Sequence, residues 1–211
     1  MRDGMSTLVS VATTLKSLAL DDALAFVDEG AALVDLREID AYLDVHVHGS
    51  LDLVYESGPG MAARARDCIP LDIPLVIEDL DTLEESALRN AAASLRGKGF
   101  TVLGSVKDAI NQWATARSSP ASVDVIWSPE APPGPILDIG DPGARVGGDA
   151  VRIPIERLWA RLDELRSFER VVIAAGYGVR AALAVGLLER YGTADIVFWR
   201  SARVRRRALT G

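Results

Sequence analysis

Short, almost wholly apolar runs alternate along the chain with stretches whose apolar residues recur at helical spacing. Leu20 to Glu29 (LDDALAFVDE) has that spacing and stops at Gly30, a residue suited to the left-handed turn that ends a helix. Ala31 to Leu36 is an apolar run of the kind that forms a strand buried on both faces. After a loop holding His46 and His48, Leu51 to Tyr55 predicts a second strand. Met61 to Asp67 then reads as helix, Pro74 to Ile77 as strand and Glu84 to Leu95 as helix ending at Gly97. Phe100 to Leu103 follows as strand and Val106 to Trp113 as helix.

A second series repeats the first. Val123 to Trp127, Ile136 to Asp138, Ala150 to Ile153, Val171 to Ala174 and Asp195 to Phe198 predict strands. Ile155 to Leu165 and Val179 to Arg190 predict helices. Corresponding points lie about 100 residues apart, a period that means duplicated domains rather than a solenoid. Ala116 to Pro120 and the proline-dense Pro129 to Pro135 read as linker and loop. The boundary is expected at Ser119, dividing the chain into 1–118 and 119–211. Short strands alternating with helices predict an α/β fold in two domains, each a small parallel sheet flanked by helices. A single dinucleotide-binding domain would need a G-x-G-x-x-G turn after the first strand, which the chain lacks.

Charge narrows the function. The formal net charge is −7, with 10 basic and 19 acidic residues up to Ser118 and 13 and 11 after it. Phosphates would repel such a surface, so a nucleic-acid partner is not expected. The Arg-rich end (Arg200, Arg203, Arg205, Arg206, Arg207) could meet an acidic partner or RNA, but a solvated final helix is the simpler expectation. The one cysteine, Cys68, cannot form an intramolecular disulfide, and the N-terminal residues lack the apolar core of a signal peptide. The most apolar stretch, Val171 to Leu188, contains Arg180 and three glycines and falls short of a membrane span. The expectation is a cytoplasmic protein with no membrane partner.

The chemistry concentrates in Val171-Val172-Ile173-Ala174-Ala175-Gly176-Tyr177-Gly178-Val179-Arg180, an apolar strand running through two glycines into a helix. Such a turn can aim successive N–H groups at one point, forming a nest for an anion at a helix N-terminus. Gly176, Tyr177, Gly178, Val179 and Arg180 are the candidate anion-binding residues, with Arg180 able to add a full charge. A plain tight turn with a solvated arginine accounts for the same composition. The matching first-half segment, Pro74 to Glu85, carries five carboxylates and neither glycine nor cysteine. It opposes anion binding, and its acids are expected at a solvated helix N-terminus. His46 and His48 form an H-x-H pair without an evident third ligand, so no metal is expected. Cys68, ahead of Ile69-Pro70, reads as a small buried hydrophobe.

Taken together these segments resemble the rhodanese-like sulfurtransferases in tandem-domain form. Val171 to Gly192 resembles the family's active-site pattern V-V-x-x-C-x-x-G-x-R, with Gly178 and Arg180 at the Gly and Arg, Gly192 closing the helix, and Ala175 at the cysteine. Val34-Asp35-Leu36-Arg37-Glu38 resembles the V-D-x-R strand end. His46-Val47-His48-Gly49-Ser50 resembles the G-H-I-P-G-A loop, and Val102 to Trp113 the domain ending. In the second half Asp138 matches the strand Asp and Val151-Arg152-Ile153-Pro154 resembles V-N-I-P, while the His loop has no counterpart near Arg145.

The resemblance implies a loop cysteine thiolate that takes up a sulfane sulfur as a persulfide and passes it on, with no cofactor. A methyl group at position 175 cannot do this. The expected function is therefore a catalytically inactive rhodanese homologue, a pseudoenzyme. It would keep a loop for a small anion or sulfur compound such as thiosulfate and have a binding or regulatory role, a protein partner included. Two alternatives stand beside it: a working thiosulfate sulfurtransferase using Cys68, and a purely structural interaction module. On the first reading, Ala175→Cys is expected to create activity.

Overall fold

The alternating runs become the strands and helices of two parallel sheets. The computed structural model describes residues 14–55 and 60–201. The N-terminal residues up to residue 13 and the arginines beyond Arg200 lie outside the described residues. The first half runs β1 (Ser17–Leu18), α1 (Leu20–Asp28), β2 (Ala32–Asp35), α2 (Ile39–Asp44), β3 (Leu51–Asp52), α3 (Gly60–Cys68), β4 (Leu75–Asp79), α4 (Glu85–Gly97), β5 (Val102–Lys107) and α5 (Ala109–Ala116). The second runs β6 (Asp124–Trp127), β7 (Ile136–Asp138), β8 (Val151–Arg152), α6 (Ile155–Arg161), a tighter turn over Leu162–Leu165, β9 (Arg170–Ala175), α7 (Val179–Tyr191) and β10 (Asp195–Arg200).

Both sheets have the same order, β1-β5-β4-β2-β3 and β6-β10-β9-β7-β8, with every pairing parallel. The duplication read from the chain is thus a duplication of topology. Parallel strands need a crossover between them; helices supply it in the first half, whereas residues 128–135 and 139–150 join β6 to β7 and β7 to β8 without one.

Three local readings change. The six-residue α2 is too short to show a helical period and was read as loop. Helix was expected from Val106, yet β5 continues to Lys107 because the edge strand β1 pairs with it at Ser105 and Val106. Gly104 makes that pairing possible, since a Cβ there would stand 2.4 Å from the Lys16 carbonyl oxygen. Arg200 ends a strand rather than opening a final helix.

The two halves meet over α7. Residues Ala181 to Glu189 of this helix are all buried, the signature of a helix packed on every side. Its small residues let it approach β3 of the first half so closely that a Cβ on Gly186 would lie 1.9 Å from the Ser50 carbonyl oxygen. One continuous apolar cluster joins Val34, Leu51 and Ile77 to Ile173, Leu183 and Phe198. A buried polar clamp fixes the register. His46 Nε2 lies 3.1 Å from both Glu189 oxygens, and Gly49 N–H donates to Glu189 Oε2 at 2.7 Å. Nearby, Arg190 donates to the carbonyls of Gly30 and Ala31. Among the described residues no helix is long and apolar enough to cross a membrane.

Candidate functional site

The expected loop lies at the carboxyl end of β9, where a parallel sheet turns its strand ends toward helix N-termini. Ala175 is the last residue of β9 and Val179 the first of α7, so only three residues make the turn. The two glycines serve different needs. Gly178 has a φ of +96°, a left-handed conformation that side chains resist. Gly176 is required by crowding, because its missing Cβ would lie 2.0 Å from the Pro142 carbonyl oxygen.

The crowding comes from a strap, residues 139–145, that follows β7 and lies across the turn. Tyr177 N–H donates to the Pro142 carbonyl at 2.9 Å, and Arg145 N–H donates to Ser201 Oγ at 2.8 Å. Ser201 in turn donates to the Ala175 carbonyl from both its backbone and its hydroxyl. Asp141 projects from the strap into the turn. Its Oδ2 accepts from Gly176 N–H at 2.6 Å and Gly178 N–H at 2.8 Å, and its Oδ1 from Arg180 N–H at 3.1 Å. Alternate amides of the turn thus converge on one carboxylate, which is 4% exposed. The nest expected from the glycines meets an anion from the chain itself.

The remaining expected residues divide. Tyr177 is 74% exposed, with its ring turned outward. The Arg180 guanidinium lies 3.0 Å from Glu156 Oε1 on α6 and also reaches the Gly140 carbonyl. Ala175 is fully buried beneath the strap. Position 175 therefore offers neither sulfur nor access.

Beside the strap is a cavity of about 300 Å³, and it joins the two halves. Arg64, Asp67 and Cys68 of α3 form one wall; Asp141, Glu156, Tyr177 and Arg180 are on the others. Cys68 is therefore next to the loop, a proximity that spacing along the chain does not reveal. It remains 5% exposed, and its thiol is pushed up to about 12. Burial is the main cause, Glu156 and Asp67 add to it, and Arg180 and Arg64 oppose it only in part. At neutral pH such a thiol keeps its proton.

His46 and His48 part company. His46 is fully buried and stacked on Tyr42, while His48 is exposed beside the boundary between the halves. Among the described residues no group of three or more His, Cys, Asp or Glu side chains is placed to hold a metal ion. In the first half the five carboxylates also separate. Glu84 and Glu85 are exposed at the α4 N-terminus, as expected of solvated acids, but Glu78 and Asp79 are buried strand residues. In sheet register Asp79 stands where Ala175 stands in the second half, since Asp79 pairs with Lys107 at the end of β5 as Ala175 pairs with Arg200 at the end of β10.

The residue the chain's pattern did not single out is Asp141. Its signal is an Asp-Pro-Gly turn two residues after a strand ending in Asp138, at the carboxyl end of the strands where α/β proteins bind ligands. Asp35 and Asp138 show the duplication at atomic detail. Each accepts the N–H two residues on, from Arg37 at 2.8 Å and from Gly140 at 3.0 Å. Arg37 then grips Asp35 with its side chain. Gly140 cannot do the same, and the chain continues into Asp141.

No family profile matches the chain. A thiosulfate sulfurtransferase GlpE from Pseudomonas savastanoi pv. phaseolicola is 31% identical over 101 residues, 48% of this chain and 89% of that protein. Among solved structures, a thiosulfate sulfurtransferase from Pseudomonas aeruginosa is 15% identical with a TM-score of 0.39, and wild-type EanB 12% identical with a TM-score of 0.45. Each alignment covers 90% of this chain, which spans 46% and 59% of those two proteins, about half their length. The identity with GlpE over nearly that protein's whole length, beside two parallel sheets of one shared order, places this chain in the rhodanese-like sulfurtransferase family.

Proposed function

We propose that this protein is a rhodanese-family member that performs no sulfurtransferase turnover and acts as a binding or regulatory module. One observation carries the reading: Ala175, at the end of β9, is fully buried and has no sulfur. The thiosulfate reaction needs a thiolate that attacks the sulfane sulfur, so that the S–S bond breaks and its electron pair leaves with sulfite. A methyl group has no lone pair to offer. A small sulfur compound would be received in the cavity beside the strap, whose lining sets Arg64 and Arg180 against Asp67, Asp141 and Glu156. A cytoplasmic setting accords with this reading, because the chain's one cysteine has no intrachain partner.

A second reading has an observation in its favour: Cys68 lines that same cavity. Its burial and the acids around it keep it a thiol, which weighs against a nucleophile. Thiosulfate:cyanide transfer by the wild type and by Cys68→Ala separates the two readings. The expected result is thiocyanate at the uncatalysed rate with both proteins. Turnover by the wild type that disappears in Cys68→Ala would establish the second reading and remove the first.

A further inference from the structure

Building on the non-turnover reading, we infer that Asp141 is a ligand built into the chain: its carboxylate fills the anion nest of the 175–180 turn and shuts it to external anions. Three N–H groups, two from the turn and one from the first turn of α7, donate to this carboxylate and engage both of its oxygens. Ordinary capping does not account for the arrangement. A capping side chain belongs to the residue that begins the helix, whereas the α7 N-cap is Gly178 and the acid comes from 37 residues upstream. The N-cap of the corresponding helix α4, Glu84, makes no cap bond from its own side chain.

The second element of anion recognition is engaged in the same way. The Arg180 guanidinium meets Glu156, so amides and arginine each have an acid of the chain for a partner. The strap that presents Asp141 is held at Tyr177, Ser201 and, through Ser201, Ala175. An external oxyanion must therefore displace a tethered carboxylate whose effective concentration is that of an intramolecular group. It must also lie beside a negative charge if the strap stays down.

The test is a titration of sodium sulfate, and separately of thiosulfate, into the full chain at constant ionic strength, followed by the amide resonances of Gly176, Gly178 and Arg180. In the wild type these resonances stay in place. In Asp141→Ala they move, with an affinity at least roughly tenfold above the wild type's, the scale set by charge-assisted hydrogen bonds. Asp141→Asn keeps the side-chain size without the charge and is expected to bind more tightly than the wild type as well. If Asp141→Ala fails to fold, the wild type and Asp141→Asn decide the matter. Movement of the wild-type resonances with the affinity of either variant overturns the inference. Thiosulfate turnover by the wild type would instead overturn the non-turnover reading and leave the closed nest standing.

Discussion

The carboxyl ends of the two central strands, β4 and β9, show what one topology permits. Each strand lies between the same neighbours in its sheet and each leads into a thirteen-residue helix. After β4 five residues intervene before α4, with Asp81 in a left-handed conformation. After β9 only three intervene, and their amides converge. The acids differ in kind too. Asp141 in the second half is bonded by three N–H groups, whereas Glu78 in the first is 2% exposed and neither of its oxygens meets a donor among the described residues. The sheet fixes where strand ends and helix starts face each other. The length of the turn, and which side chain fills it, decides the chemistry.

The sharpest way to break this contrast is to supply both things the second half lacks. Ala175→Cys alone is expected to give no thiosulfate:cyanide transfer above background, because Asp141 holds the amides that would otherwise stabilise a thiolate. This revises the expectation from the residues alone, which reckoned with the shape of the turn but not with its occupant. Ala175→Cys combined with Asp141→Ala is expected to turn over at least about 100-fold faster than the single variant, as a thiol with amide support becomes a nucleophile. There the thiolate takes the sulfane sulfur with loss of sulfite. Cyanide then removes it as thiocyanate and restores the thiolate. Equal rates for single and double variants would show that the strap is no barrier.

The helices that follow the two turns offer a test by stability. In α4 the buried residues Leu88, Ala91, Ala92 and Leu95 form one stripe and the rest faces outward, whereas α7 is enclosed. Gly97 of α4 has nothing within 4 Å of a would-be Cβ. Gly97→Ala is therefore expected to stabilise the protein, by up to about 1 kcal/mol, as in an ordinary helix. The same change at Gly186 places a methyl against the Ser50 carbonyl and is expected to destabilise by about 2–4 kcal/mol. Urea denaturation of both variants measures the two values. Matching signs would mean that α7 is not clamped between the halves.

How much of this was legible in the chain follows from the range of each interaction. The strands around Val34, Val76 and Val172 were readable because apolar runs between turn residues are local signals. The glycine turn was readable for the same reason, although Gly176 is fixed by crowding from Pro142 rather than by its own backbone angle. Asp141 and Cys68 were not readable as site residues. Asp141 reaches residues 35 to 39 positions away, and Cys68 joins the cavity only because α3 packs on α6 across the two halves. Glu78 was read as a solvated acid because five carboxylates in twelve residues suggest a helix start. The sheet runs two residues further than the apolar run, and that extension buries it.

Glu78 gives the last effect, a dependence of stability on pH. Burial pushes the Glu78 carboxyl well above the ordinary range, with the Asp35 charge adding to the shift, and Asp52 is raised for the same two reasons in the same order. A group raised in the native state keeps its proton after the unfolded chain has released its own. Its contribution to stability is therefore complete below the ordinary carboxylate range and is lost as pH rises above that range towards the raised native value. Each retained proton gives a slope of about 1.4 kcal/mol per pH unit across that window. Glu78→Gln removes one titrating group and is expected to flatten the fall in unfolding free energy as pH rises above the ordinary carboxylate range, with Asp52 supplying what slope remains. Urea denaturation across that window checks it. An unchanged slope in Glu78→Gln would mean that Glu78 is ionised in the folded protein, with the Arg37 charge and the Ser50 hydroxyl outweighing burial.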